Sequence, residues 1–190
     1  RSAGTALVMV KGLLLNNASI TNGPAASRGT YVGTIRTDAG AATVSWSPGG
    51  TASGGTPATL NVWNMYNRVP VVAQVQDSNT AQSYTSATLH AAMGSNGNRV
   101  SMVRGLDNDA VYATAVESIT TAAVAGAFGV VRIGLDSLTS GAGSSLGRCA
   151  NAAAVATATT PTTTYSGLPG LGFHFLQAIE SGDGTNASLF

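Results

Sequence analysis

Apolar and polar residues alternate along most of this chain, the period of a strand whose two faces look opposite ways. Residues 30–37 read Thr-Tyr-Val-Gly-Thr-Ile-Arg-Thr, β-forming throughout, and 42–46 make a second short run. Within 60–66, Leu60, Val62, Asn64 and Tyr66 share one face. Within 69–76, Val71, Ala73 and Val75 oppose Gln74 and Gln76. Pro70 between these runs predicts a corner or a sheet edge. Residues 99–104 set Val100 and Met102 opposite Ser101 and Val103, and 109–119 are rich in Val, Ala and Thr. Residues 128–135 read as a buried strand. In 171–179, Leu171, Phe173, Phe175 and Ile179 face away from Gly172, His174, Ala178 and the following Glu180.

About eight or more strands result, parted by Gly, Asn, Ser and Pro loops, which predicts an all-β fold. The expected architecture is an antiparallel β-sandwich, jelly-roll-like, with long Gly/Ala/Thr-rich loops. Helical spacing is thin. Residues 86–93 fit one or two turns through Leu89 and Met93, and the Ala-rich 120–128 is broken by Gly126. Three stretches read as long loops: 47–59, 139–147 and 150–167. Loops of that length in a compact domain are usually functional or touch a neighbour. The strand after Gly167 argues against a division there, so 1–190 is expected to be a single domain. Arg1 in place of Met marks the chain as an expected piece of a longer one.

Charge changes the picture more than length does. Charged residues make up only 9% of the chain, against about 25% in ordinary soluble domains. Such a surface suits packing on neighbours better than free diffusion. The net charge of +1 and the scattered cations exclude nucleic acid as a main partner, because phosphate binding needs clustered charge. Eight of the nine cations are Arg, whose planar group serves contacts between chains well. No stretch approaches the roughly 20 apolar residues of a membrane span. The run 6–10 is apolar, but Lys11 closes it early.

Candidate chemistry is sparse. Cys149 stands alone, with no His nearby to activate it, and reads as a small side chain in a loop. His90 and His174 lack a Gly-x-Ser-x-Gly elbow, and His174 reads as a packed strand residue. Asp107-Asn108-Asp109 resembles half of a calcium loop without its Gly and later Glu, so a polar turn is expected. Residues 141–147 have the wrong glycine spacing for a phosphate loop. No pair among the eight carboxylates stands out as an acid/base couple. No catalytic, cofactor or metal residue is therefore expected.

The unusual cluster is Trp63, Asn64, Tyr66, Asn67 and Arg68. Aromatic rings beside Asn and Arg could stack on and hydrogen-bond a sugar. The preferred reading is structural, with Trp63 and Tyr66 as core anchors and the two Asn capping a bend before Pro70. The same cluster, Val62-Trp-Asn-Met-Tyr-Asn-Arg-Val69, carries a resemblance. With it go Gly-Leu-Leu-Leu-Asn-Asn at 12–17, Arg28-Gly-Thr-Tyr-Val-Gly-Thr-Ile-Arg36, Asn98-Arg99-Val100, Gly105-Leu106, Asp109-Ala110-Val111, Gly134-Leu-Asp-Ser137 and Pro169-Gly-Leu-Gly-Phe-His-Phe-Leu-Gln177. Together they resemble tailed-bacteriophage virion structural proteins of the tail-fibre, spike and head-fibre kind.

The resemblance implies a non-enzymatic β-sandwich appendage domain of a virion, often a homotrimer. The expected partners are copies of itself, other tail or capsid proteins, and a host cell-surface glycan. The alternative is a carbohydrate-binding β-sandwich module, and an enzyme is not expected. No assigned catalytic residues come with the resemblance, and no cofactor.

Overall fold

The computed structural model describes residues 5–38, 40, 42–66 and 68–190. In chain order the strands are β1 (Leu7–Val10), β2 (Leu13–Asn16), β3 (Gly33–Ile35), β4 (Trp46–Ser47), β5 (Gly49–Ala52), β6 (Ala58–Leu60) and β7 (Val62–Asn64). Then come β8 (Gln74–Asp77), β9 (Ser83–Tyr84), β10 (His90–Ala91), β11 (Arg99–Arg104), β12 (Val111–Val116) and β13 (Ile119–Thr121). The last are β14 (Phe128–Leu135), β15 (Gly147–Ala150), β16 (Ala158–Thr159), β17 (Thr162–Gly167), β18 (Gly172–Ser181) and β19 (Ser188–Leu189). The only helical element among the described residues is a 3-10 turn, Ala92–Gly94. The fold is all-β, as the alternation predicts.

The main sheet runs β15-β14-β18-β11-β6-β4. Its centre is the ten-residue β18, with β14 on one edge and β11 and then β10 on the other. A strand hydrogen-bonded on both edges and covered on both faces cannot keep polar residues out of the interior. Gln177 lies fully buried there. Its Nε2 lies 3.0–3.1 Å from the carbonyls of Ser95, Asn98 and Ala178, which its two N–H groups share. This offsets part of the cost of burying an amide whose Oε1 meets no donor among the described residues.

The β12–β17 pair forms a second layer. On β12 the alternation is regular, with Val111, Ala113 and Ala115 inward and Tyr112, Thr114 and Val116 outward. The inward residues pack on Met102, Ile133, Tyr165 and Leu176, the first core. A smaller sheet, β16-β13-β19-β9, closes a second core of Ile119, Cys149 and Phe190. Two pairs depart from the antiparallel rule: β5 with β8, and β6 with β11, are parallel.

Several local expectations change. Of 42–46 only Trp46 enters a strand, and of 69–76 only Gln74 onward does so. Residues 86–93 supply β10 and the start of the 3-10 turn, since Glu180 and Ile179 offer strand pairing that one turn of helix cannot match. The stretch 150–167 contains β17, because β-branched threonine suits a ladder even without bulk. The apolar run before Lys11 is half of a hairpin. Lys11 and Gly12 both have positive φ (50° and 83°), as a tight two-residue hairpin turn requires.

The stretch 47–59 contains β5 for a steric reason. At Gly49 (φ +126°) a Cβ would lie 1.5 Å from the Gln74 carbonyl oxygen. Only glycine lets the two backbones meet. Gly49→Ala is expected to separate β5 from β8 and lower stability by about 1–3 kcal/mol. Chemical denaturation measures this, and an unchanged midpoint would refute the assigned pairing.

Candidate functional site

The inward side chains at the middle of β12 are two alanines, too short to fill the space above the main sheet. An open groove of about 1570 Å³ results. It is lined by the extended segment 68–77, by β12, and by residues of β11, β14 and β18. Two polar clusters lie along it.

The first contains Trp63, Arg68, Arg104 and Asp109. Trp63 Nε1 donates to Asp109 Oδ2 at 2.8 Å, and Arg68 Nη2 pairs with Asp109 Oδ1. Trp63 stacks on Tyr31, with ring centroids 5.9 Å apart. Gly105 explains how the ring sits so low, since a Cβ there would be 2.2 Å from the indole. Arg104 is only 4% exposed, and its Nε and Nη2 have no hydrogen-bond partner among the described residues. Burial lowers its pKa, with Arg68 pushing the same way and Asp109 and Tyr165 opposing.

The second cluster joins Glu117, after β12, to Glu180 of β18. Glu180 has no exposed surface, and its Oε2 accepts the Met93 N–H at 3.1 Å. Glu117 Oε2 and Glu180 Oε1 are buried and meet no protein donor. The two carboxyls are close enough for each to act on the other's ionisation. Burial first, then the bond to Glu180 and its charge, pushes Glu117 up to about 10. Burial also raises Glu180, against the Glu117 bond and the Met93 N–H. His90 Nε2 lies 3.1 Å from Glu180 Oε1, off the hydrogen-bond direction, and its ring lies 3.6 Å from that of Tyr84. Burial lowers the His90 pKa.

The remaining candidates separate. His174 Nδ1 lies 2.7 Å from Asp136 Oδ2, and its Nε2 meets no hydroxyl among the described residues. Cys149 lies on β15 inside the second core rather than in a loop, because its small side chain fits beneath Ile119. Asp107 and Asn108 form a polar turn, while Asp109 serves Trp63 and Arg68. Among the described residues no three His, Cys, Asp or Glu side chains are grouped to hold a metal. Tyr66 is 63% exposed and so is not a core anchor. The bend at 64–66 turns its ring outward, with Asn64 Oδ1 accepting the Tyr66 N–H at 2.8 Å. Asn67 lies outside the described residues.

The Glu117–Glu180 pair had no sequence signal, because 63 positions separate its members. Only the placement of β12 over β18 brings them together. Compared with known proteins, the chain matches no family model, no curated protein and no solved structure. No helix among the described residues is long and apolar enough to cross a membrane.

Proposed function

We propose that the chain is a structural domain of a bacteriophage virion, an appendage of the tail-fibre, spike or head-fibre kind, working as a homotrimer. The supporting observation is the groove's rim. Val72 is 83% exposed and Tyr112 78%, with Val69, Val71 and Val116 also more than half or nearly half bare. Large side chains of this kind grouped on a charge-poor surface mark a face that another surface covers. Sequence resemblance supplies the particle, and the all-β fold suits a rigid appendage.

Light scattering coupled to size exclusion tests it. The expected mass is three times the 18.9 kDa of one chain. A monomer at micromolar concentration would overturn the self-assembling reading.

The second reading, a carbohydrate-binding module, is favoured by Trp63 and Arg104 in the groove. An aromatic face beside guanidinium groups suits sugar rings and their hydroxyls. A glycan array tests it, since an array without hits leaves only the structural role.

A further inference from the structure

We infer that residues 69–72 and the free edge of β12 are two halves of one interface, through which a second copy of this chain pairs strand to strand. This rests on the self-assembly proposed above and names its surface. Residues 69–72 are Val-Pro-Val-Val, three of the four being strong strand formers. They lie in no strand, and their backbone is bonded to no other described residue. The chain resumes pairing only at Gln74, whose N–H donates to Pro48. A strand-competent segment thus lines the groove with no backbone bond to another described residue.

β12 is the complementary half. It pairs with β17 on one edge and with nothing among the described residues on the other. Its outward side chains include Tyr112 and Val116, both well exposed. Free edges invite strand addition, and monomeric proteins guard them with charge, above all lysine, or with proline, of which Pro70 is the single instance here. Neither half carries charge: residues 69–76 and 110–116 contain no charged side chain. Matching neutral surfaces exclude a strongly acidic or basic partner and favour a copy of the same neutral sequence. Pro70 has no N–H, so the ladder must use the neighbouring peptide groups. Two different segments meet, so the contact can be made head to tail and close into a ring, as a trimer requires.

Mixing two chains that each carry one introduced cysteine, Val72→Cys and Thr114→Cys, tests the pairing. The native Cys149 is buried and does not compete. Under mild oxidation the mixture is expected to give a covalent dimer on denaturing gels, and neither chain alone does so. A Val72→Cys chain that links to itself would overturn the pairing with β12. So would an oligomer that gives no cross-link in the mixture.

Val72→Asp supplies the second readout. It is expected to lower the mass to that of a monomer while far-ultraviolet circular dichroism stays that of the folded chain. A folded variant that keeps the oligomer's mass sinks the interface but leaves self-assembly standing. A monomeric wild type sinks both.

Discussion

Ile119→Ala is expected to lower the unfolding free energy by about 2–5 kcal/mol, the range for removing a large buried aliphatic side chain. Ile119 has no exposed surface and packs with Cys149 and the C-terminal Phe190. Its loss opens a cavity where the main sheet meets the four-stranded sheet. For a chain of this size that corresponds to a drop in melting temperature of about 4–20 °C. A second substitution makes the test specific. A Cβ on Gly129 would lie 2.6 Å from Ile119 Cγ2 and 3.2 Å from the Phe190 ring. Gly129→Ala alone therefore overpacks the site, at a cost of about 1–3 kcal/mol. In the double variant the new methyl occupies part of the vacated space. The combined loss is expected to be smaller than the sum of the single losses. Strict additivity in urea denaturation would show that Ile119 and Gly129 do not share this space.

The strands that were legible are those whose side chains alternate and whose partners come from the same sheet. The runs 99–104 and 128–135 match β11 and β14 because each has bulky residues to bury. Alternation fails where one strand is covered on both faces. In β18 Leu176, Gln177, Ile179, Glu180 and Ser181 are all buried, while at its start Phe173 is exposed and Gly172 buried, so no single face runs its length. It fails again where glycine rather than side-chain pattern decides. β5 is Gly-Gly-Thr-Ala and pairs because its backbone comes close to Gln74. Residues 69–73 fail in the opposite way, carrying a strand pattern that finds no partner among the described residues.

The site was legible only where neighbours in sequence are neighbours in space. The cluster at 62–69 was recognisable, and Trp63 and Arg68 do meet. Their shared acceptor, Asp109, was placed in a turn with no link to them. The preference for Arg also has a use within one chain. Arg36 lies 3.8 Å from the Phe173 ring centroid and Arg148 4.2 Å from that of Phe128, contacts a planar guanidinium makes well.

Stability is expected to fall as pH rises from acid toward alkaline, and Glu117→Gln is expected to flatten that fall. Glu117 keeps its proton in the folded chain up to about 10, against 4.5 for the free side chain. Between those values the folded state binds a proton that the unfolded state lacks, so each added pH unit destabilises, by up to about 1.4 kcal/mol. Glu180 is raised as well and adds the same sign. His90 has the opposite sign: burial lowers its pKa from 6.5, so its contribution is lost on acidification. Tyr84, beside His90, and the charge of Asp77, which also raises Glu117, complete the surroundings of the pair. Because burial drives both glutamates, their slope outweighs that of the histidine above its titration range. Glutamine at 117 keeps a donor toward Glu180 without a titrating proton. At about pH 8 the variant is expected to be more stable than the wild type by about 2–4 kcal/mol, with little difference near pH 4.5. Urea midpoints measured between about pH 5 and about pH 9 decide it. Equal slopes for the two chains would mean that Glu117 does not keep its proton in the folded state. A steeper wild-type slope would establish the pair as the group that couples this fold to pH.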